Sequence, residues 1–420
     1  MVFGVDDIIA LIILVTFTWF CLLYEKKIYK INFTPFSAIA LPIVGVIVLA
    51  EIIAPIFDFS FITSTAIYIN LIALGFFYLG GQLILNIFSL KNTKETCHFK
   101  INHIKFFKLF FLFILIIALF ELKNTLGNRS LLQIEDSEYA QGGIQAHLGN
   151  FITIILISLF VNIKINILHI NKLHTIIIII ICLLLKIASS IKAEFLLPII
   201  CSVSILCFIG KLKINLRTIV YFSLIGMTLF IGMASFFNIQ NSTDTTLYGI
   251  YYFFFYLTCG ETGFSEFLTQ NPGLNHENIN FITVFFDNVI ATLFGGNIHT
   301  YTDFSITDWT KVSNYFCIYT FHTNVYSLIG ETFINCGWII GCLFFLILGM
   351  WTYYIFTIAK QDIFLTVLYS YIYGCLFLSF FSSSYILLPS FIYSQMICVV
   401  LYIINISKYN GKNKYISKRV

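Results

Sequence analysis

Long apolar runs, broken by short polar stretches, recur from one end of this chain to the other. Eleven can be marked off, at 7–24, 36–55, 63–90, 106–122, 149–167, 174–191, 193–210, 217–237, 331–357, 363–382 and 385–407. Such runs approach or exceed the roughly 20 residues a helix needs to cross the hydrocarbon of a bilayer. The pattern predicts an all-α polytopic membrane protein of about 11 transmembrane helices, forming a single transmembrane domain over 1–420. The closely spaced pairs, 174–191 with 193–210 and 363–382 with 385–407, predict tight helical hairpins.

Two stretches between spans are long, 121–148 and 238–330. A loop as long as the second is usually functional. Within it INFITVFFDNVIATLF puts Ile282, Phe285, Phe286, Val289, Ile290, Leu293 and Phe294 on one helical face, with Asn280, Asp287 and Asn288 away from it. That segment is too short to span and reads as a helix lying in the interface. YGIYYFFFYLT, Tyr248 to Thr258, reads as a second interfacial or re-entrant piece.

Composition agrees with the pattern. Of the 420 residues 59% are hydrophobic, 18% aromatic and only 10% charged, and mean hydropathy is +0.91. Soluble domains carry roughly a quarter charged residues, so none of ordinary size can be cut from this chain. The richness in Ile, Asn, Lys, Phe and Tyr points to a low-GC, bacterial source. MVFGVDDIIALIILVTFTWFCLLYEKKIYK has acids before its apolar run and bases after it, so it reads as a retained first span rather than a signal peptide.

The distribution of charge, more than the net +4, sets a direction. With the N-terminus outside and the C-terminus in the cytoplasm, only Lys123, Arg129, Lys186, Lys192 and Lys311 of the 24 basic residues fall to the outer side or the membrane. The excess of inward Lys and Arg selects that topology. Of the 20 acids only Glu25, Glu95 and Asp362 then face inward.

Outward bases are where chemistry is expected. Arg129 in the first long loop, Lys192 in the hairpin ASSIKAEFLLP and Lys186 about two turns before it are candidates for a phosphate or pyrophosphate group, against snorkelling or pairing with Glu194 or Glu331. EDSEY offers Glu138 and Tyr139 for sugar hydroxyls, against a plain solvated acidic loop. CGETGFSEF sets Glu261 between glycines where the chain can turn sharply, as a base or as a helix cap. FHTNVYSLIGETF places His322, Asn324, Tyr326 and Glu331 at the membrane edge, with His322 a candidate base. The histidine spacing suits no metal. Cys259 and Cys317 share the large loop and form a candidate disulfide, while Gly337 and Gly341 make a GxxxG pair suited to close helix packing.

In three stretches, SSIKAEFLLP, YLTCGETGFSEFL and HTNVYSLIGETFINCGWIIG, the chain resembles the Wzy-type polymerases of O-antigen and capsule repeat units. The likeness in architecture runs over nearly its whole length. The resemblance implies inverting glycosyl transfer at the outer face of the bacterial cytoplasmic (inner) membrane, without cofactor or metal. An undecaprenyl-pyrophosphate-linked glycan is donor and acceptor, lipid pyrophosphate leaves, and a chain-length regulator is a conceivable partner; no nucleic acid is involved. Family members commonly use outward arginines for the pyrophosphate, whereas the hairpin position here is Lys192. The related ligases carry a His followed at once by a small polar residue and then a nearer glycine pair, a spacing His322-Thr323-Asn324 and Gly337 do not match. A ligase or other lipid-linked sugar transferase, and from another class a flippase or transporter, are the competing readings; the unequal halves of the chain and its lack of an internal repeat weigh against transport.

Overall fold

A computed structural model describes residues 4–87, 101–128, 144–189, 196–212, 245–271, 310–314 and 317–406, with a few isolated residues between 228 and 291. The described chain is mostly helical. In order the elements are α1 (Val5–Tyr29), α2 (Pro35–Phe57), α3 (Ser64–Ile87), α4 (Ile104–Asn128), α5 (Ile144–Ile165), α6 (Lys172–Ser189), α7 (Leu196–Phe208), α8 (Thr245–Gln270), β1 (Thr310–Lys311), β2 (His322–Thr323), α9 (Leu328–Ile358), α10 (Ile363–Leu378), α11 (Ser384–Leu387) and α12 (Pro389–Ile406). Among the described residues five helices are long and apolar enough to cross a membrane: α1, α2, α3, α9 with its 3-10 extension to Gln361, and α12. Shorter apolar helices lie at Gly149–Ile165, Lys172–Leu184, Leu196–Phe208 and Ile363–Leu378. The span expected at 217–237 lies outside the described residues except Thr228.

Local chemistry explains where helices begin and stop. Thr34 caps α2, accepting from Ser37 N at 3.2 Å, and Pro35 occupies the first turn, where no N–H is missed. Asp362 caps α10, accepting from Phe364 N at 2.7 Å. Lys30 and Asp58 end α1 and α2 in left-handed conformation, at φ 56° and 59°.

The tightest packing is between α3 and α9. A methyl group added at Gly80 would stand 2.0 Å from Leu346 O, and one at Gly349 2.1 Å from Phe77 O, so each helix backbone lies directly on the other. Beside them Gly81 admits the ring of Tyr353, at 2.4 Å from the position of such a methyl. The Tyr353 hydroxyl donates to Glu25 Oε1 on α1, and Thr34 Oγ1 donates to Glu25 Oε2. One buried carboxylate thus ties α1, the start of α2 and α9 together.

Several expectations are corrected. Gly337 is not a packing glycine within a straight helix: at φ 68° it kinks α9, and Gly341 lies against Phe333 of the same helix. Close helix packing falls to Gly80, Gly81 and Gly349 instead. Tyr248–Thr258 is not a separate piece but the first half of α8, a continuous helix of 26 residues. A short two-stranded ribbon also forms between α8 and α9. In the segment expected to lie in the interface, the described residues are helical, with Asn288 buried and Ile290 exposed.

Segments the sequence assigns to one side meet at one end of the molecule. Asn405 joins Asn102 and Asp362, donating to Asp362 Oδ2 at 2.7 Å and accepting from Asn102 N at 2.9 Å. Residues 58–64 and 310–327 meet at the other end, next to the N-terminus of α1, where Asp7 Oδ1 accepts from Ser64 N at 2.6 Å.

Substituting Gly349→Val or Gly80→Val should separate α3 from α9 and cost at least the ~1–3 kcal/mol of an overpacked core. Gly45→Ala, with nothing within 4 Å of its methyl, should not. Thermal melts in detergent check this: equal melting of Gly349→Val and wild type would contradict the crossing.

Candidate functional site

At the end that holds the N-terminus of α1, the chain from 310 to 327 folds back over α8. β1 and β2 pair antiparallel in the register Thr310↔Thr323 and Lys311↔His322. Directly opposed residues share a face of a ribbon and neighbours alternate. Thr310 and Thr323 are accordingly buried, while Lys311 and His322 are exposed side by side. The ribbon is anchored to the end of α2, where Ser60 N donates to Val312 O at 3.0 Å and Asn314 N to Asp58 O at 2.7 Å.

Under and beside the ribbon lies an aromatic cluster separate from the main core. Phe321 stacks on Phe255 with centroids 4.7 Å apart, Tyr319 meets Tyr248 edge-on at 5.1 Å, and Tyr248 stacks on Tyr252 at 5.7 Å. Tyr248, Tyr252 and Tyr319 are only half-buried, so the cluster keeps a partly open tyrosine rim. Cys259 and Cys317, the candidate disulfide pair, both belong to this cluster as free thiols. Cys317 Sγ donates to Phe57 O at 3.2 Å, and burial pushes its thiol above the ordinary value.

Deeper in, the middle of α8 carries Gly260 and Gly263, which stay helical rather than turning. Their use is close approach: a methyl on Gly260 would lie 2.6 Å from Phe380 O, and one on Gly263 2.5 Å from Thr323 Cγ2. Between them Glu261 is wholly buried, and Asn70 Nδ2 on α3 donates to its Oε2 at 2.9 Å. Tyr326 is also wholly buried, with its hydroxyl 2.7 Å from Thr310 Oγ1. Glu331, in the first turn of α9, accepts from the Ser383 hydroxyl, and Ser327 caps that helix by accepting from Gly330 N at 3.2 Å.

The residues singled out in the sequence therefore separate into layers. His322 is exposed and Asn324 half-buried at the surface. Tyr326, Glu331 and Glu261 lie inside, engaged with protein partners. Lys186 falls in α6, and Arg129, Lys192, Glu138 and Tyr139 lie outside the described residues. Lys311 gains most: the sequence marks it only as one of five outward bases, and the ribbon register puts it beside His322. Two-residue strands leave no alternating pattern that would reveal that pairing beforehand.

Comparison with family models, with curated proteins and with solved structures finds no match. The functional reading accordingly stands on the residues themselves.

Tyr326→Phe removes one buried hydrogen bond and should cost about 1 kcal/mol, with faster proteolysis of the 310–327 segment. His322→Ala, at an exposed position, should melt like wild type. The reverse order of stabilities would contradict the layering.

Proposed function

We propose that the chain is an oligosaccharide repeat-unit polymerase, acting on undecaprenyl-pyrophosphate-linked glycans at the outer face of the bacterial cytoplasmic membrane. The observation that carries the reading is the exposed Lys311–His322 pair, set by ribbon register beside a rim of half-buried tyrosines. The end bearing this ribbon is the one the sequence places outside, from the scarcity of Lys and Arg there.

Each part has a chemical task. Tyrosine faces stack on sugar rings, and Asn324 supplies an amide for hydroxyls. The hydroxyl oxygen of the acceptor sugar attacks the anomeric carbon of the donor glycan, and the bond from that carbon to the pyrophosphate oxygen breaks. The pyrophosphate leaves with the bonding electrons, and cationic groups stabilise the charge that develops on it. Lys311 joins Arg129, Lys192 and Lys186 as a candidate for that role. His322 accepts the hydroxyl proton, since of the two proposed bases it is the one at the surface.

A ligase or another lipid-linked sugar transferase remains the nearest competitor, because the same groups would serve a different acceptor. Glu25, Glu51 and Glu261, acids within helices, favour a transporter as the reading from another class. Their hydrogen bonds to neighbouring helices and loops also suit a purely structural role, which is why transport is ranked below the polymerase.

Deleting the gene should turn a ladder of surface polysaccharide into a single-repeat rung on a gel. Complete loss of ligated glycan would instead indicate a ligase, and an unchanged ladder would reject both. Alanine at His322 should lower polymer at normal protein level by about a hundredfold or more, the usual contribution of a general base. Lys311→Ala should shorten or abolish the ladder; undiminished polymer from both variants would remove the ribbon from the site.

A further inference from the structure

Asn70 and Glu261 share a feature that their single hydrogen bond does not explain. Both side chains are wholly buried, Asn70 on α3 and Glu261 on α8. The two amide hydrogens of Asn70 are both used, one on Ala66 O at 3.0 Å and one on Glu261 Oε2 at 2.9 Å. This pattern also fixes which end of the amide is nitrogen, since an oxygen there would face two acceptors. Each partner then has one oxygen left over: Asn70 Oδ1 and Glu261 Oε1 are buried with no hydrogen-bond donor. Two leftover acceptors on one bonded pair lack a single hydrogen between them.

We propose that Asn70 and Glu261 form a proton-binding site, in which Glu261 Oε1 carries a proton and donates it to Asn70 Oδ1. Asn70 Nδ2 donates in the opposite direction to Glu261 Oε2, so a carboxylic acid and a carboxamide each give and receive one hydrogen bond. The ligand of the site is one proton, taken from water, and no other atom is exchanged. A carboxylate in the same place would leave Asn70 Oδ1 empty and hold a negative charge in a sealed interior. The Ser327 hydroxyl also faces the Glu261 carboxyl. Serving that carboxyl, it would still supply nothing to Asn70 Oδ1.

The surroundings agree. Among the described residues no basic side chain acts on Glu261. Among the described acids near this end, Asp7 accepts from Ser64 N at 2.6 Å, Glu331 accepts from the Ser383 hydroxyl, and Glu51 accepts from Ile62 N at 2.8 Å on Oε1 while its Oε2 has no partner. The site is closed from above by backbone, with Ser327 N donating to Gly260 O at 3.3 Å and Phe380 O lying against Gly260. Glu261 thus lies beneath the segment that follows His322. This assignment is independent of the substrate proposed above.

Infrared difference spectroscopy of the full-length protein in detergent at neutral pH tests it. Wild type minus Glu261→Gln should show the C=O stretch of a protonated carboxylic acid, shifted in Asn70→Ala. A pair of carboxylate stretches in that difference would overturn the proposal. An exchange of partners gives a second readout. Asn70→Asp alone sets two acids together and should lower the melting temperature by roughly 2 °C or more. The double variant Asn70→Asp with Glu261→Gln restores one acid and one amide and should recover most of that loss. Failure of the double variant to recover would equally reject the pair.

Discussion

Backbone meets backbone where α3 crosses α9, and much of the described structure is arranged around that contact. Gly80 and Gly349 bring a carbonyl of each helix to where any side chain would stand. In a membrane, where lipid is as apolar as leucine, such close approach supplies the packing that burial supplies in water. The crossing also positions Tyr353 over Gly81, and through Tyr353 it fixes Glu25 and Thr34. Moving α3 would therefore disturb α1 and α2 as well. It would also displace Asn70, nearly three turns away on the same helix.

The end with the ribbon is built on the same economy of space. Gly260 and Gly263 let the 323–327 segment and the α10–α11 turn lie directly on α8. Small residues thus seat a polar segment over an interior that holds Glu261, Glu331 and several serines. The layering divides the chemistry. Groups that fix the segment, Tyr326 with Thr310 and Glu331 with Ser383, are sealed in. Those nearer the surface, exposed His322 and Lys311 and the half-buried tyrosine rim, stand above them. In the proposed polymerase the rigid lower layer holds the reactive upper layer in register.

Much of the helical frame was legible in the sequence, because long apolar runs report helices with little ambiguity. α1, α2, α3 and α9 follow their runs to within a few residues. α8 was missed as one element because Thr258, Gly260, Glu261, Thr262 and Gly263 interrupt its apolar run and mimic a turn. Their polarity and smallness answer to tertiary neighbours, which no local pattern records. Gly337 failed in the opposite way: GWIIG has the spacing of a packing motif, but its first glycine supplies a positive φ. The site was half legible. His322 was picked from its position before a span, whereas its pairing with Lys311 belongs to a ribbon anchored by Asp58 and Ser60, just after α2 and far away in sequence.

The central claim is that this chain joins lipid-linked repeat units. Its most direct test is reconstitution of the purified protein in vesicles with a single lipid-pyrophosphate-linked oligosaccharide, no nucleotide being added. Wild type should yield a ladder of products differing by one repeat, with one lipid pyrophosphate released for each linkage made. Glycan that stays one repeat long, or that only crosses the bilayer unchanged, would contradict the account.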